Sequence, residues 1–167
     1  MSRTLILMRH AKSSWSDASI DDFDRPLNNR GRKSSTALGA WLAARDLVPQ
    51  EVLVSGARRT VETWQGIAPN MPAQALMRSE PALYLAAAET IVATLRQATA
   101  PIVLLIGHTP SIGACAAQLV ETAPEHEKFD QYPTGATTVM QFAGADWRSV
   151  SARHGQLLEF VVPRELM

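Results

Sequence analysis

The chain has 167 residues, 46% of them hydrophobic, with one cysteine and 16 basic side chains against 16 acidic ones. Such a length and apolar content fit a single soluble domain spanning residues 1–167, and the balanced charge leaves no global field to recruit nucleic acid or an anionic membrane. The lone cysteine excludes an internal disulfide and a cysteine-cluster metal site; with no membrane-length apolar run and no leader-like start, a cytoplasmic address is the expectation.

The first element is the apolar run Leu5-Ile6-Leu7-Met8, which reads as a short buried strand and ends abruptly in Arg9-His10. In open α/β sheets, ligands bind beyond the carboxyl ends of strands, so a cation and an imidazole delivered there suit an anion such as phosphate. Residues 14–27 follow as a polar loop carrying Trp15, Asp17, Asp21, Asp22 and Asp24. Its carboxylates, beside arginines, read as solvated or paired structural groups rather than as a magnesium site. Asn28 or Asn29 then caps a helix reaching residue 46, with Leu38, Trp41 and Leu42 on its inner face. Arg30, Arg32 and Lys33 near its start oppose the helix dipole and read as solvated surface charge, with guidance at a pocket mouth as the alternative.

Val52-Leu53-Val54 is a second core strand, breaking at Ser55 into a helix that opens with Arg58-Arg59. Arginine's planar fork grips phosphate in bidentate fashion. A loop with Pro69 and Pro72, an extended piece near residues 75–77 and the pair Glu80-Pro81 lead to a helix over residues 86–98. The run Ile102-Val103-Leu104-Leu105-Ile106 makes the next buried strand and ends in Gly107-His108. Thr109 is expected to cap a helix with Pro110 in its first position, placing His108 where helix N–H groups favour an anion. That helix runs to about residue 121 and holds Cys115 as a small buried residue.

His126 falls in an acidic loop and reads as solvated, while residues 137–142 and 157–162 alternate as an antiparallel pair at the sheet edge. Arg153-His154-Gly155 between them echoes the earlier Arg-His pair but occupies a turn, and it is rejected as catalytic. The order of elements predicts an α/β fold: a three-layer α/β/α sandwich around a mostly parallel sheet with an antiparallel edge.

Several motifs in order carry a family resemblance. They are Arg9-His10-Ala11-Lys12-Ser13, Asp24-Arg25-Pro26-Leu27 through Gly31, Ser55 to Thr63, Gly107-His108, Pro133-Thr134-Gly135 and the closing residues 160–166. Together they resemble the histidine phosphatase superfamily, the phosphoglycerate-mutase-like group, and within it the short bacterial phosphohistidine phosphatases of the SixA type. The resemblance implies His10 as nucleophile, Arg9 as phosphate clamp and His108 as the second pocket histidine. Between two adjacent arginines it selects Arg59, which lies four residues after Ser55 and three before Glu62. The chain departs from the larger family in Ala11, where Gly is commoner, and in Ser16, where the mutases tend to have Asn.

These roles also follow from the chemistry. Attack on phosphorus needs an unprotonated ring nitrogen on His10, with the other nitrogen hydrogen-bonded to fix the tautomer. Arg9, Arg59 and His108 around the phosphoryl oxygens would supply the positioning and charge stabilisation that dominate phosphoryl transfer, so no metal and no cofactor are expected. Glu80 is the positional candidate for an acid that protonates an oxygen leaving group. The interval between the Arg59 helix and the His108 strand is too short for the covering insertion of larger relatives. An uncovered site admits a phosphorylated side chain on another protein, and imidazole, with a pKa near ~6.5, leaves without a buried acid. The expectation is therefore hydrolysis of phosphohistidine in a protein partner, releasing inorganic phosphate. A small-molecule phosphomonoester phosphatase using Glu80 and a catalytically silent phosphate- or phosphoprotein-binding module are the alternatives.

Overall fold

In the computed structural model, which describes residues 1–72 and 74–167, the N-terminal apolar run forms strand β1 (Ser2–Arg9) in the interior of a six-stranded sheet. The others are β2 (Glu51–Val54), β3 (Leu76–Ser79), β4 (Ile102–Gly107), β5 (Thr137–Ala143) and β6 (Gln156–Val161). Their order across the sheet is β3-β2-β4-β1-β5-β6. The first four run parallel, whereas β5 and β6 are antiparallel to their neighbours and close one edge, as expected.

Parallel strands covered on both faces read as continuous apolar runs because alternate side chains enter different cores. Leu5 and Leu7 of β1, with Leu53, Val103 and Leu105, face helices α3 (Ala88–Leu95) and α4 (Ser111–Leu119). Ile6 and Met8, with Val52, Val54, Leu104 and Ile106, face α1 (Asn29–Ala44) and α2 (Arg58–Ile67). All four apolar residues of β1 are fully buried, and each such side chain contributes about 1.5–3 kcal/mol relative to leaving it exposed. The result is the three-layer sandwich, with β1 held between β4 and β5.

Asn28 is the cap of α1, its side chain accepting from the Gly31 N–H at 2.8 Å. The expected Thr109 cap is not formed. The Thr109–Pro110 peptide is cis, Pro110 stands in the cap position, and α4 starts at Ser111. Proline has no N–H to be capped, and Ile112 N–H donates to the carbonyl of His108 at 2.9 Å. Around the rejected Arg-His-Gly stretch, the left-handed residue is Arg153 (φ 65°) rather than Gly155. Gly155 is needed for space: a Cβ there would lie 2.8 Å from Met140 Sδ and 3.0 Å from the Leu119 carbonyl oxygen.

Candidate active site

The carboxyl ends of β1, β4 and β2 lie side by side, because Arg9 pairs with Gly107 across β1 and β4, and Val54 with Ile106 across β2 and β4. His10 and His108, one residue beyond those ends, meet with ring centroids 5.3 Å apart. A cavity of about 230 Å³ opens over them, lined also by Arg9, Lys12, Arg25 and Arg59. Among the described residues four cations and no carboxylate line it, so a chain of zero net charge still has a locally positive pocket. Arg9, His10, Arg59 and His108 thus come together from segments 99 positions apart at their extremes, 9 to 108.

His10 is buried, and its Nδ1 lies 2.6 Å from the carbonyl oxygen of Ala11. A carbonyl only accepts, so Nδ1 carries the proton and Nε2 keeps its lone pair. Burial above all, then His108, Arg9 and Arg59, lowers the pKa of His10 to about 3, against the raising effect of the Ala11 carbonyl. The ring is neutral at physiological pH. The loop beneath it is pinned on both sides: Ala11 N–H donates to Thr63 Oγ1 at 3.0 Å, and Gly135 N–H to the His10 carbonyl at 2.9 Å. Gly135 needs its glycine, since φ is +77° and a Cβ would meet Pro163 Cγ at 2.4 Å.

His108 is fixed by the same logic. Guanidinium nitrogens only donate, so Arg59 Nη2, 3.3 Å away, gives a hydrogen to Nδ1, and Nε2–H donates to Ser55 Oγ at 2.8 Å. Burial first and Arg59 second lower its pKa to about 4. Arg59 itself is held by Asp22: Nη1 donates to the Asp22 carbonyl at 2.6 Å and Nη2 to its carboxylate at 3.1 Å. The Tyr84 hydroxyl donates to the same carboxylate at 2.6 Å, and with Arg59 and Arg25 it holds the Asp22 carboxyl down at about 2. Arg25 donates to Ser13 Oγ at 2.7 Å and stacks 3.5 Å from the ring of Trp15, which is 77% exposed at the rim. Arg9 donates to the Tyr132 carbonyl at 3.2 Å, and the buried Nε atoms of Arg9 and Arg59 have no hydrogen-bond partner among the described residues.

Glu80 is the one candidate that the fold does not bring to the cavity. It follows the edge strand β3, two strands from β4, and its carboxylate lies 3.6 Å from Arg78 Nε. Arg58 points outward from α2 and pairs with Glu62 at 2.9 Å. Asp22, one of several generic loop carboxylates in the sequence, and Tyr84, Ser55 and Thr63, not singled out there, join the site in the structure. Thr63 carried a usable signal, standing one helical turn after Arg59 on the buried face. Among the described residues no three His, Cys, Asp or Glu side chains gather as a metal site, and no helix is long and apolar enough to cross a membrane.

Residues 5–83 match the histidine phosphatase superfamily, branch 1. Over 98% of this chain and 97% of the other, the fold matches a protein from Nakamurella multipartitia named as a phosphohistidine phosphatase, SixA, at 30% identity and a TM-score of 0.80. The chain belongs to the histidine phosphatase superfamily. Another SixA structure, a protein histidine phosphatase complexed with tungstate, aligns over 98% of this chain and 99% of its own at 22% identity and a TM-score of 0.80, a likeness of fold. An uncharacterized chloroplastic protein from Arabidopsis thaliana is 46% identical over 63 residues, 38% of this chain; the match spans 29% of that relative's length.

Proposed function

We propose that the chain is a metal-independent phosphatase that works through a phosphohistidine intermediate on His10, with phosphohistidine in a protein as its substrate. The observation that carries this reading is the tautomer of His10, whose Nδ1–H is committed to the Ala11 carbonyl while Nε2 stays unprotonated in a cavity lined by four cations. Nε2 attacks phosphorus as the bond to the leaving nitrogen breaks, and the leaving imidazole takes up a proton. Water then attacks the phosphorylated His10, releasing inorganic phosphate and restoring the neutral ring. Arg9 and Arg59 hold the phosphoryl oxygens, and His108, opposite the nucleophile, positions Arg59 by accepting from its Nη2 at Nδ1. The four cations supply charge compensation of the kind a metal provides elsewhere.

Two features favour phosphohistidine over an alkyl ester. An alkoxide needs a proton donor, and Glu80, the candidate acid, is engaged with Arg78 outside the cavity. The pocket is also uncovered, with Trp15 exposed at its rim. The test is rapid quenching with a phosphohistidine-labelled protein: label is expected on His10 as an acid-labile, base-stable adduct that vanishes in His10→Ala. Label on serine or cysteine, or label that survives His10→Ala, would overturn the mechanism. A native enzyme that hydrolyses a sugar phosphate in preference to the phosphohistidine protein, with equal kcat/KM losses on both for Glu80→Gln, would overturn the substrate class.

A further inference from the structure

A groove of about 620 Å³ lies beside the catalytic cavity and joins it through Lys12 and Thr134, which line both. Its walls come from the first turn of α1, from the loop around residue 128 and from the C-terminal segment, and they present Arg30, Lys128 and Arg164. Among the described residues none of Lys12, Arg30, Lys128 and Arg164 has a carboxylate within 4.0 Å. Outside the groove, Arg45 is matched by Glu159, Arg58 by Glu62 and Arg148 by Asp146, whereas the exposed Arg32, Arg96 and Arg153 have no carboxylate partner among the described residues but do not line the groove. Of the two acids in the groove, Glu165 is already satisfied, by His126 at 3.0 Å and by the Val162 N–H at 3.1 Å, which leaves Glu127. Four unmatched cations therefore line a channel that leads away from the nucleophile.

We propose that this groove docks an acidic segment flanking the phosphorylated histidine of the protein substrate, an inference that rests on the phosphohistidine-protein reading above. A phosphohistidine side chain inserted over His10 lays its own backbone across the cavity mouth at Lys12 and Thr134. The neighbouring residues of that partner continue into the groove, where Arg30, Lys128 and Arg164 meet their carboxylates. Shape favours a chain segment over a bilayer, because the charges line a concavity rather than a convex or flat face. The electrostatic match acts on encounter and partner choice, and it weakens as salt rises.

The experiment uses two synthetic phosphohistidine peptides, one flanked by Asp and Glu and one by Lys, together with an aryl phosphate too small to reach the groove. The native enzyme is expected to favour the acidic peptide by roughly tenfold in kcat/KM at low salt, mainly through KM, with the preference shrinking at high salt. In Arg30→Glu/Arg164→Glu, and separately in Lys128→Glu, the preference falls while turnover of the aryl phosphate stays at the native value, which also shows that the variants are folded. Equal cleavage of both peptides by the native enzyme, or a preference that survives both variants, overturns the groove assignment and leaves the phosphohistidine reading standing. Turnover of the aryl phosphate with no cleavage of either peptide overturns that reading and the groove with it. Groove-dependent binding to phosphatidylserine vesicles without any flank preference reassigns the surface to a membrane and overturns the proposal.

Discussion

Arg58 and Arg59 are consecutive in the chain and opposite in fate. The buried face of α2 is Arg59, Thr60, Thr63, Trp64 and Ile67, so helical geometry turns Arg59 inward and leaves Arg58 in solvent, paired with Glu62. Arg59→Ala removes a donor aimed at the cavity and one of the two guanidinium groups on the Asp22 carboxylate, and the expected loss is about 2–4 kcal/mol of transition-state stabilisation. Arg59→Lys should restore little of it, because a point charge cannot bridge Asp22 and His108 as the planar fork does. Arg58→Ala is expected to change kcat/KM by less than about twofold, the scale of an exposed ion pair. The two kcat/KM values check the assignment: an essential Arg58 beside a dispensable Arg59 would mean that the positive pocket is built by other groups.

At the scale of elements, the start of α1 supports the catalytic loop. A Cβ on Gly31 would lie 2.0 Å from the Lys12 carbonyl oxygen, and Asn28 N–H donates to that same oxygen at 3.1 Å. The helix therefore enters directly under the segment carrying His10 and Lys12, and no other residue at position 31 fits without moving one of them. Gly31→Ala is expected to destabilise the fold by about 1–3 kcal/mol, the range for overpacking, and to lower kcat/KM as well. Urea midpoints and kinetics on the same sample check this; a fully active, equally stable variant would mean that the approach is relieved at no cost. The strand ends were legible in the sequence, because apolar runs that stop at Arg9-His10 and Gly107-His108 signal both the sheet and where its groups converge; the close approach of Gly31 to Lys12 was not. The Asp22–Tyr84–Arg59 network was not legible. It joins residues 37 and 62 positions apart through a loop with no periodicity, where four aspartates, Asp17, Asp21, Asp22 and Asp24, look the same in one dimension. Glu80 was misplaced for a related reason: its position in the chain fits a donor, while its seat beyond an edge strand follows only from the strand order.

For the whole molecule, two buried neutral histidines tie stability to pH. Their native pKa values, about 3 for His10 and about 4 for His108, lie below the ordinary value of ~6.5 expected of the unfolded chain. Between those limits the unfolded state binds protons that the native state refuses, so stability is full above about pH 6.5 and declines as pH falls, by up to about 1.4 kcal/mol per pH unit for each ring. Asp22, held down at about 2, acts in the same direction only below the ordinary carboxylate range. Urea midpoints at pH 7, 5.5 and 4.5 should fall steadily, and more gently in His10→Gln/His108→Gln; identical pH slopes for the native protein and the variant would show that other groups govern the decline. The strand order carries a different consequence, for synthesis. β1 precedes the other strands in the chain, yet its partners β4 and β5 begin 100 and 135 residues after it (102 and 137 against 2), and β2 reaches it only through β4. A nascent chain that has not yet passed Gly107 holds the fully apolar Leu5-Ile6-Leu7-Met8 with both edges open. Contacts this distant in sequence form slowly and leave apolar strands exposed in the interim. The juxtaposition of His10 and His108 therefore cannot form until β4 takes its place between β2 and β1.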